Sequence, residues 1–195
     1  MRNVCFLGLA IRDQADIDNL PEDCEIWAAN EAARALPTNR KAARVFQMHP
    51  RDWREAERIY MNHGALPDYL DHDCFGRNKE HVEYLRTCGV PVLGQQVWPD
   101  IPTSERYPFE AVTAAVGVKL PPNWTQRLWA ASTWGYMAAL LVAEAAWLNP
   151  DGPIDTLHLI GIELPTGTHR ERVWEWPNLA YYLGQMVGLD IDVVL

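Results

Sequence analysis

The sequence has neither Gly-x-Gly-x-x-Gly nor Gly-x4-Gly-Lys-Ser/Thr, so the usual dinucleotide and P-loop phosphate cradles are absent. Its four cysteines, Cys5, Cys24, Cys74 and Cys88, are widely spaced and form no Cys-x-x-Cys pair. They give a zinc site or a thioredoxin-like motif no support and read as reduced thiols. Long apolar runs are missing too. Met137 to Trp147 carries Glu144 and is too short to span a bilayer, and Val4 to Ala10 lacks the long apolar core of a secretory leader and reads as a first strand. A cytoplasmic location without membrane contact is expected. Basic residues are scarce: 17 Lys and Arg against 26 Asp and Glu leave a formal charge of -9. Such a surface lacks the clustered cations through which proteins displace counterions from DNA or RNA, so nucleic acid is not the expected partner.

What is present is an ordinary globular composition, 48% apolar and 22% charged over 195 residues, which fits one domain with a sizeable core. Nine tryptophans are many for this length. Most read as core or interface residues, with one or two available to stack on a ligand base. The apolar runs Asn3–Gly8, Glu25–Asn30, Ala43–His49, Gly89–Gly94 and Thr156–Gly161 read as strands, and Asp190–Leu195 as a last one. Helices are expected over Arg12–Asn19, Glu31–Leu36, Asp52–Asn62, Asn78–Cys88 and Thr133–Leu148, with another from Arg170 or Pro177 to Val187. Strands alternating with helices predict a Rossmann-like three-layer α/β sandwich on a mainly parallel sheet of about six strands. Residues 50–88 and the proline-broken 98–124 read as helical or lid insertions within this single domain.

In open parallel sheets ligands settle beyond the carboxyl ends of the strands, where strand order reverses. That rule selects Gly8, Asn30, Glu31, His49, Gln95, Gly161 and Glu163. Ser132 and Thr133 join them because hydroxyls and free N–H groups at a helix start can hold a phosphate. Gly8 permits close backbone approach or simply a turn. Asn30 either caps the following helix or reads a base or ribose. His49 and Glu163 have the chemistry of acid/base groups, and Glu171 sits in His169-Arg170-Glu171-Arg172, a segment that mixes acid/base and anion-binding groups. His63, His72 and His81, with Asp68, Asp71 and Asp73, match no metal-ligand spacing and read as hydrated surface.

Taken together, Val4–Gly8, Ile26–Glu31, Phe46–His49, Ala131–Gly135, Leu159–Glu163, Glu171 and Pro177–Gly184 resemble a group of small phage and prophage Rossmann-like proteins. These are similar in turn to hydroxymethylpterin pyrophosphokinase domains and, more distantly, to bacterial sialyltransferases that use a cytidine nucleotide sugar. The resemblance implies a cleft in which the first loop, Asn30 and Ser132-Thr133 hold a nucleotide while His49, Glu163 and Glu171 face the reacting end. This chain departs from that pattern in its first loop, Gly8-Leu-Ala-Ile-Arg-Asp13, where relatives have a small-residue turn with serine. It also has Glu163 in place of Asp, and Glu175-Trp176 in place of a Gln-Arg pair. The expected activity is transfer from a nucleotide-activated donor, glycosyl or pyrophosphoryl, with a nucleotide or nucleotide sugar as partner. Mg²⁺ would accompany that nucleotide, and a homo-oligomer is compatible with the pattern. The alternative is a non-catalytic protein that binds or sequesters a nucleotide.

Overall fold

A computed structural model describes residues 2–11, 13–52, 54–57, 74–117, 130, 132–148, 152–162 and 172–195. Seven strands form one sheet in the order β5-β4-β3-β2-β1-β6-β7, and every neighbouring pair is parallel. They are β1 (Arg2–Leu7), β2 (Glu25–Ala29), β3 (Ala42–Gln47), β4 (Val92–Gly94), β5 (Ser104–Arg106), β6 (Ile154–Ile160) and β7 (Asp192–Val194). The fold is the α/β sandwich that the alternation of strands and helices predicts.

The central strands are apolar at consecutive positions because both faces of the sheet are covered. Val4 and Phe6 of β1, with Trp27 of β2 and Phe46 of β3, enter one core cluster; Cys5 and Leu7, with Ile26, Ala28 and Val45, enter the other. The first cluster is closed by α3 (Phe109–Val116), α4 (Thr133–Ala143) and α5 (Arg172–Val187). The second is closed by α1 (Gln14–Asp18), the 3₁₀ helix Asn30–Ala35, and α2 (Lys79–Thr87). Phe6, Trp27 and Phe46 stack in a row across three strands, with centroids 5.7 and 5.4 Å apart. All three rings are fully buried, and each removes a large apolar area from water.

Two departures from the sequence pattern have clear physical reasons. Residues 104–106, inside the stretch that its prolines mark as a lid, pair with β4 as the edge strand of the sheet. Three half-exposed or exposed residues, Ser-Glu-Arg, carry no apolar alternation, so periodicity could not reveal them. The last helix begins at Arg172 and contains Pro177. Pro177 is the sixth residue of the helix, past the first turn, so it removes the bond to the carbonyl four residues back, and its exposed ring takes no core position. The expected helix Asp52–Asn62 is described only at 54–57, and the rest of it lies outside the described residues.

At the amino ends of the strands the sheet is locked by charge. Arg2 donates from Nε and Nη2 to Glu25 at 2.6 and 3.0 Å, and from Nη2 to Glu144 at 3.1 Å. Arg44 pairs with the other oxygen of Glu144 and lies 4.5 Å from the Trp27 ring centroid. Glu144 stands where α4 widens into the π-helical turn Glu144–Leu148, so the network ties β1, β2 and β3 to the end of α4.

Candidate functional site

The order of the sheet reverses between β1 and β6: β2 to β5 run outward on one side of β1, and β6 and β7 lie on the other. This is the place where crossover helices leave opposite faces and a crevice opens. Here the chain brings two glycines together. Gly8 N–H donates to the Ile160 carbonyl at 2.8 Å, and Ala10 N–H to the Gly161 carbonyl at 3.0 Å. A Cβ on Gly8 would run into the Gly161 carbonyl and touch the Trp134 ring at 3.0 Å. One on Gly161, whose φ is +66°, would meet the Gly8 oxygen at 2.7 Å. Only glycine permits this approach, so both glycines seen in the sequence have a structural cause, and the two strand ends form one floor.

The strand register extends that floor sideways. Leu7 pairs with Ala28, Ala29 with Phe46, and Gln47 with Gly94. Carried one residue further, this places Asn30 level with Gln47, and with neighbouring strands about 4.8 Å apart the rim from Gly94 to Gly161 spans about 19 Å. Asn30 adopts a left-handed backbone, φ 51°, which asparagine tolerates better than most residues. It opens the 3₁₀ helix without acting as its side-chain cap, since the cap position is Ala29 and no side chain caps it. Its Oδ1 is buried and has no hydrogen-bond partner among the described residues. An acceptor left in this state is a place where a ligand donor gains most.

Ser132 caps α4, accepting from Gly135 N–H at 3.4 Å, and Thr133 is buried behind it. Trp134, the next residue, is the side chain that meets Gly8, so the start of α4 abuts the floor of the crevice. Gly135 fixes the other side: a Cβ there would collide with Asn178 Oδ1, which lets α5 approach α4 closely at this turn. Trp134 is the contact that residue-by-residue reading left unassigned among nine tryptophans. The signal for it was its position directly after the capping serine.

The remaining candidates divide. His49 is half-buried at the end of β3 and is engaged with neighbouring groups. Gln95 donates from Nε2 to the Met48 carbonyl at 2.7 Å, so one N–H of its amide ties the end of β4 to that of β3. Glu31 is half-buried beside the rim and raises the proton affinity of His81 through its charge. Glu163 and Glu171 lie outside the described residues, as do His63, His72, Asp68, Asp71 and Asp73.

His81 is a correction. It is fully buried and not part of a hydrated surface. Its Nε2 lies 2.8 Å from Oε1 of Gln47, itself 1% exposed at the carboxyl end of β3. A carbonyl oxygen only accepts, so Nε2 carries the proton and Nδ1 holds a buried lone pair with no partner among the described residues. Burial lowers its pKa, against the smaller opposing effect of Glu31. His81, Val82 and Leu85 form the inward face of α2, a helical spacing visible in the sequence once the histidine is counted as apolar.

Other chemistry is limited. Burial raises the Cys24 thiol to about 11 and pushes Cys5 higher still, so neither is a thiolate at neutral pH. Among the described residues no three His, Cys, Asp or Glu side chains gather as metal ligands would, and none is assigned to Mg²⁺. No helix among the described residues is long and apolar enough to cross a membrane. A groove of about 420 Å³ lies at the opposite end of the sheet, before β3 and β4, lined by Arg34, Arg40, Lys41 and Tyr84. Arg40 there is held by the carbonyls of Leu20, Pro21 and Glu22, and Arg34 by Glu80. Comparison of the chain with protein-family models, with curated proteins and with solved structures finds no match.

Proposed function

We propose that the crevice at the β1/β6 reversal binds a nucleotide or nucleotide sugar, and that the protein transfers a glycosyl or pyrophosphoryl group from it in the cytoplasm. The observation that carries this reading is the glycine floor. Gly8 and Gly161 meet where strand order reverses, with the Ser132-capped start of α4 packed beside them through Trp134. No side chain rises from these two positions, and the start of α4 beside them offers N–H groups and partial positive charge to a phosphate. Asn30 has an acceptor, unpartnered among the described residues, that a base amine or ribose hydroxyl would fill.

In this reading His49, or Glu163, accepts the proton of the acceptor hydroxyl as its oxygen attacks the donor, and the nucleotide leaves with its phosphate held at Ser132 and Thr133. Glu171 belongs to the same reacting end. The test is incubation of purified protein with a panel of nucleotide sugars and triphosphates, with and without Mg²⁺, and chromatography of the products. Release of free nucleotide or nucleoside monophosphate that disappears in His49→Ala supports transfer. An unmodified nucleotide recovered from heat-denatured protein, with no turnover on any donor, replaces the enzyme by a sequestering protein.

A further inference from the structure

We infer that the outer face of α5 is the contact through which two copies of this chain pair. From Trp176 to Leu189 no charged residue occurs, although the chain as a whole carries -9. Asn178, Leu179, Tyr182 and Met186 face the core, with Leu183 packed at its edge, which leaves Trp176, Pro177, Ala180, Tyr181, Gly184 and Val187 on the outer side of the helix. Trp176 is 57% and Val187 63% exposed, an apolar stripe where a surface helix ordinarily carries Lys and Glu.

The stripe is complementary to itself. In an antiparallel pair related by a two-fold axis at Ala180, residue 176 of one copy stands opposite residue 184 of the other. The bulky, exposed Trp176 then meets a position with no side chain, where a Cβ would touch nothing within 4 Å. Ala180 and Gly184, four residues apart on one face, let the two helix backbones come close. Charge selects the same occupant. Two acidic copies repel wherever carboxylates face each other, and this face is a place where they can meet without any. It also lacks the Lys and Arg that an amphipathic helix uses to hold an anionic membrane.

The exposed part of the stripe amounts to on the order of 500 Å² per copy, below the roughly 800 Å² of a standard stable interface, so the pairing should be weak and reversible, in the micromolar range. It should also tighten with added salt, which screens the repulsion of two like-charged copies and leaves apolar contact intact.

Sedimentation equilibrium of the full chain across the micromolar range tests this. The expected average mass rises from the 22.2 kDa monomer toward its double, more steeply at high salt. Val187→Arg should remain monomeric, and Gly184→Leu, which puts a side chain in the way of the partner's Trp176 while improving helix propensity, should remain monomeric with an unchanged or raised melting temperature. A wild-type chain that stays monomeric at every concentration would overturn the proposal. So would association that both variants retain, association that salt abolishes, or binding of the wild type to zwitterionic lipid vesicles in place of self-association.

Discussion

The two ends of the sheet are built on opposite principles. At the amino end Arg2, Glu25, Arg44 and Glu144 pair with one another across three strands and a helix terminus. At the carboxyl end Asn30 and His81 keep buried polar atoms with no partner among the described residues, while in the amino-end network the one such atom is Arg2 Nη1; Asn30 also holds a left-handed backbone, and two glycines fit strand end against strand end. Buried polar atoms without partners cost stability, so a fold retains them only where something else compensates. The difference teaches that the amino end secures the layers, while the carboxyl end holds the polar groups that the proposed ligand would engage.

The largest expected effect comes from breaking the amino end. Glu144→Ala removes the shared partner of two arginines, so that Arg44 loses this ion pair and the largely buried Arg2 keeps Glu25 alone; a loss of about 3–5 kcal/mol in urea unfolding is expected. A loss below 1 kcal/mol would mean that the network is ornamental and that the contrast between the two ends is false. Next is Gly161→Ala, which adds a Cβ 2.7 Å from the Gly8 oxygen at positive φ. It should cost about 2–4 kcal/mol and abolish nucleotide binding as well, whereas Glu144→Ala should leave affinity per folded molecule unchanged.

The smallest effects separate the ends by pH. His81 has a folded pKa below its ordinary value because burial disfavours the imidazolium, so the unfolded chain takes up its proton first. Stability should therefore be level above the unfolded pKa of about 6.5 and fall as pH drops below it, by at most about 1.4 kcal/mol per pH unit. His81→Gln should remove that limb. Glu25 has a folded pKa below the ordinary carboxylate value, chiefly through its hydrogen bonds from Arg2. Its contribution is present above the unfolded pKa of about 4.3 and is lost as pH falls through the folded one, a separate acid limb that Glu25→Gln should flatten. Urea midpoints measured from neutral pH to pH 3 check both.

Much of the fold was legible because burial on both faces leaves apolar runs: β1, β2 and β3 appear in the sequence as such, and β6 through Leu157, Leu159 and Ile160 at its carboxyl end. β5 did not, since a three-residue edge strand needs only hydrogen bonds to β4 and has no apolar signature. The rim was legible through strand ends, which is why Gly8, Asn30 and Gly161 could be named from position alone. His81 was missed because its partner, Gln47, lies 34 residues away, and a histidine between polar neighbours looks solvated until that partner is known. Trp134 was hidden among nine tryptophans, as its role depends on touching Gly8. The charge network at the amino ends likewise joins residues as far as 142 positions apart, a distance over which no local pattern carries information.

Amide chemical-shift mapping of the isotope-labelled chain, titrated with a nucleoside triphosphate and with a nucleotide sugar, bears most directly on the carboxyl end as a nucleotide site. The expected perturbations fall on Gly8 to Ile11, Asn30, Ser132 to Gly135 and Gly161, while Ala33 to Ala42 around the amino-end groove stay unmoved. Perturbations confined to Arg34, Arg40 and Lys41, or none at millimolar nucleotide, would contradict it.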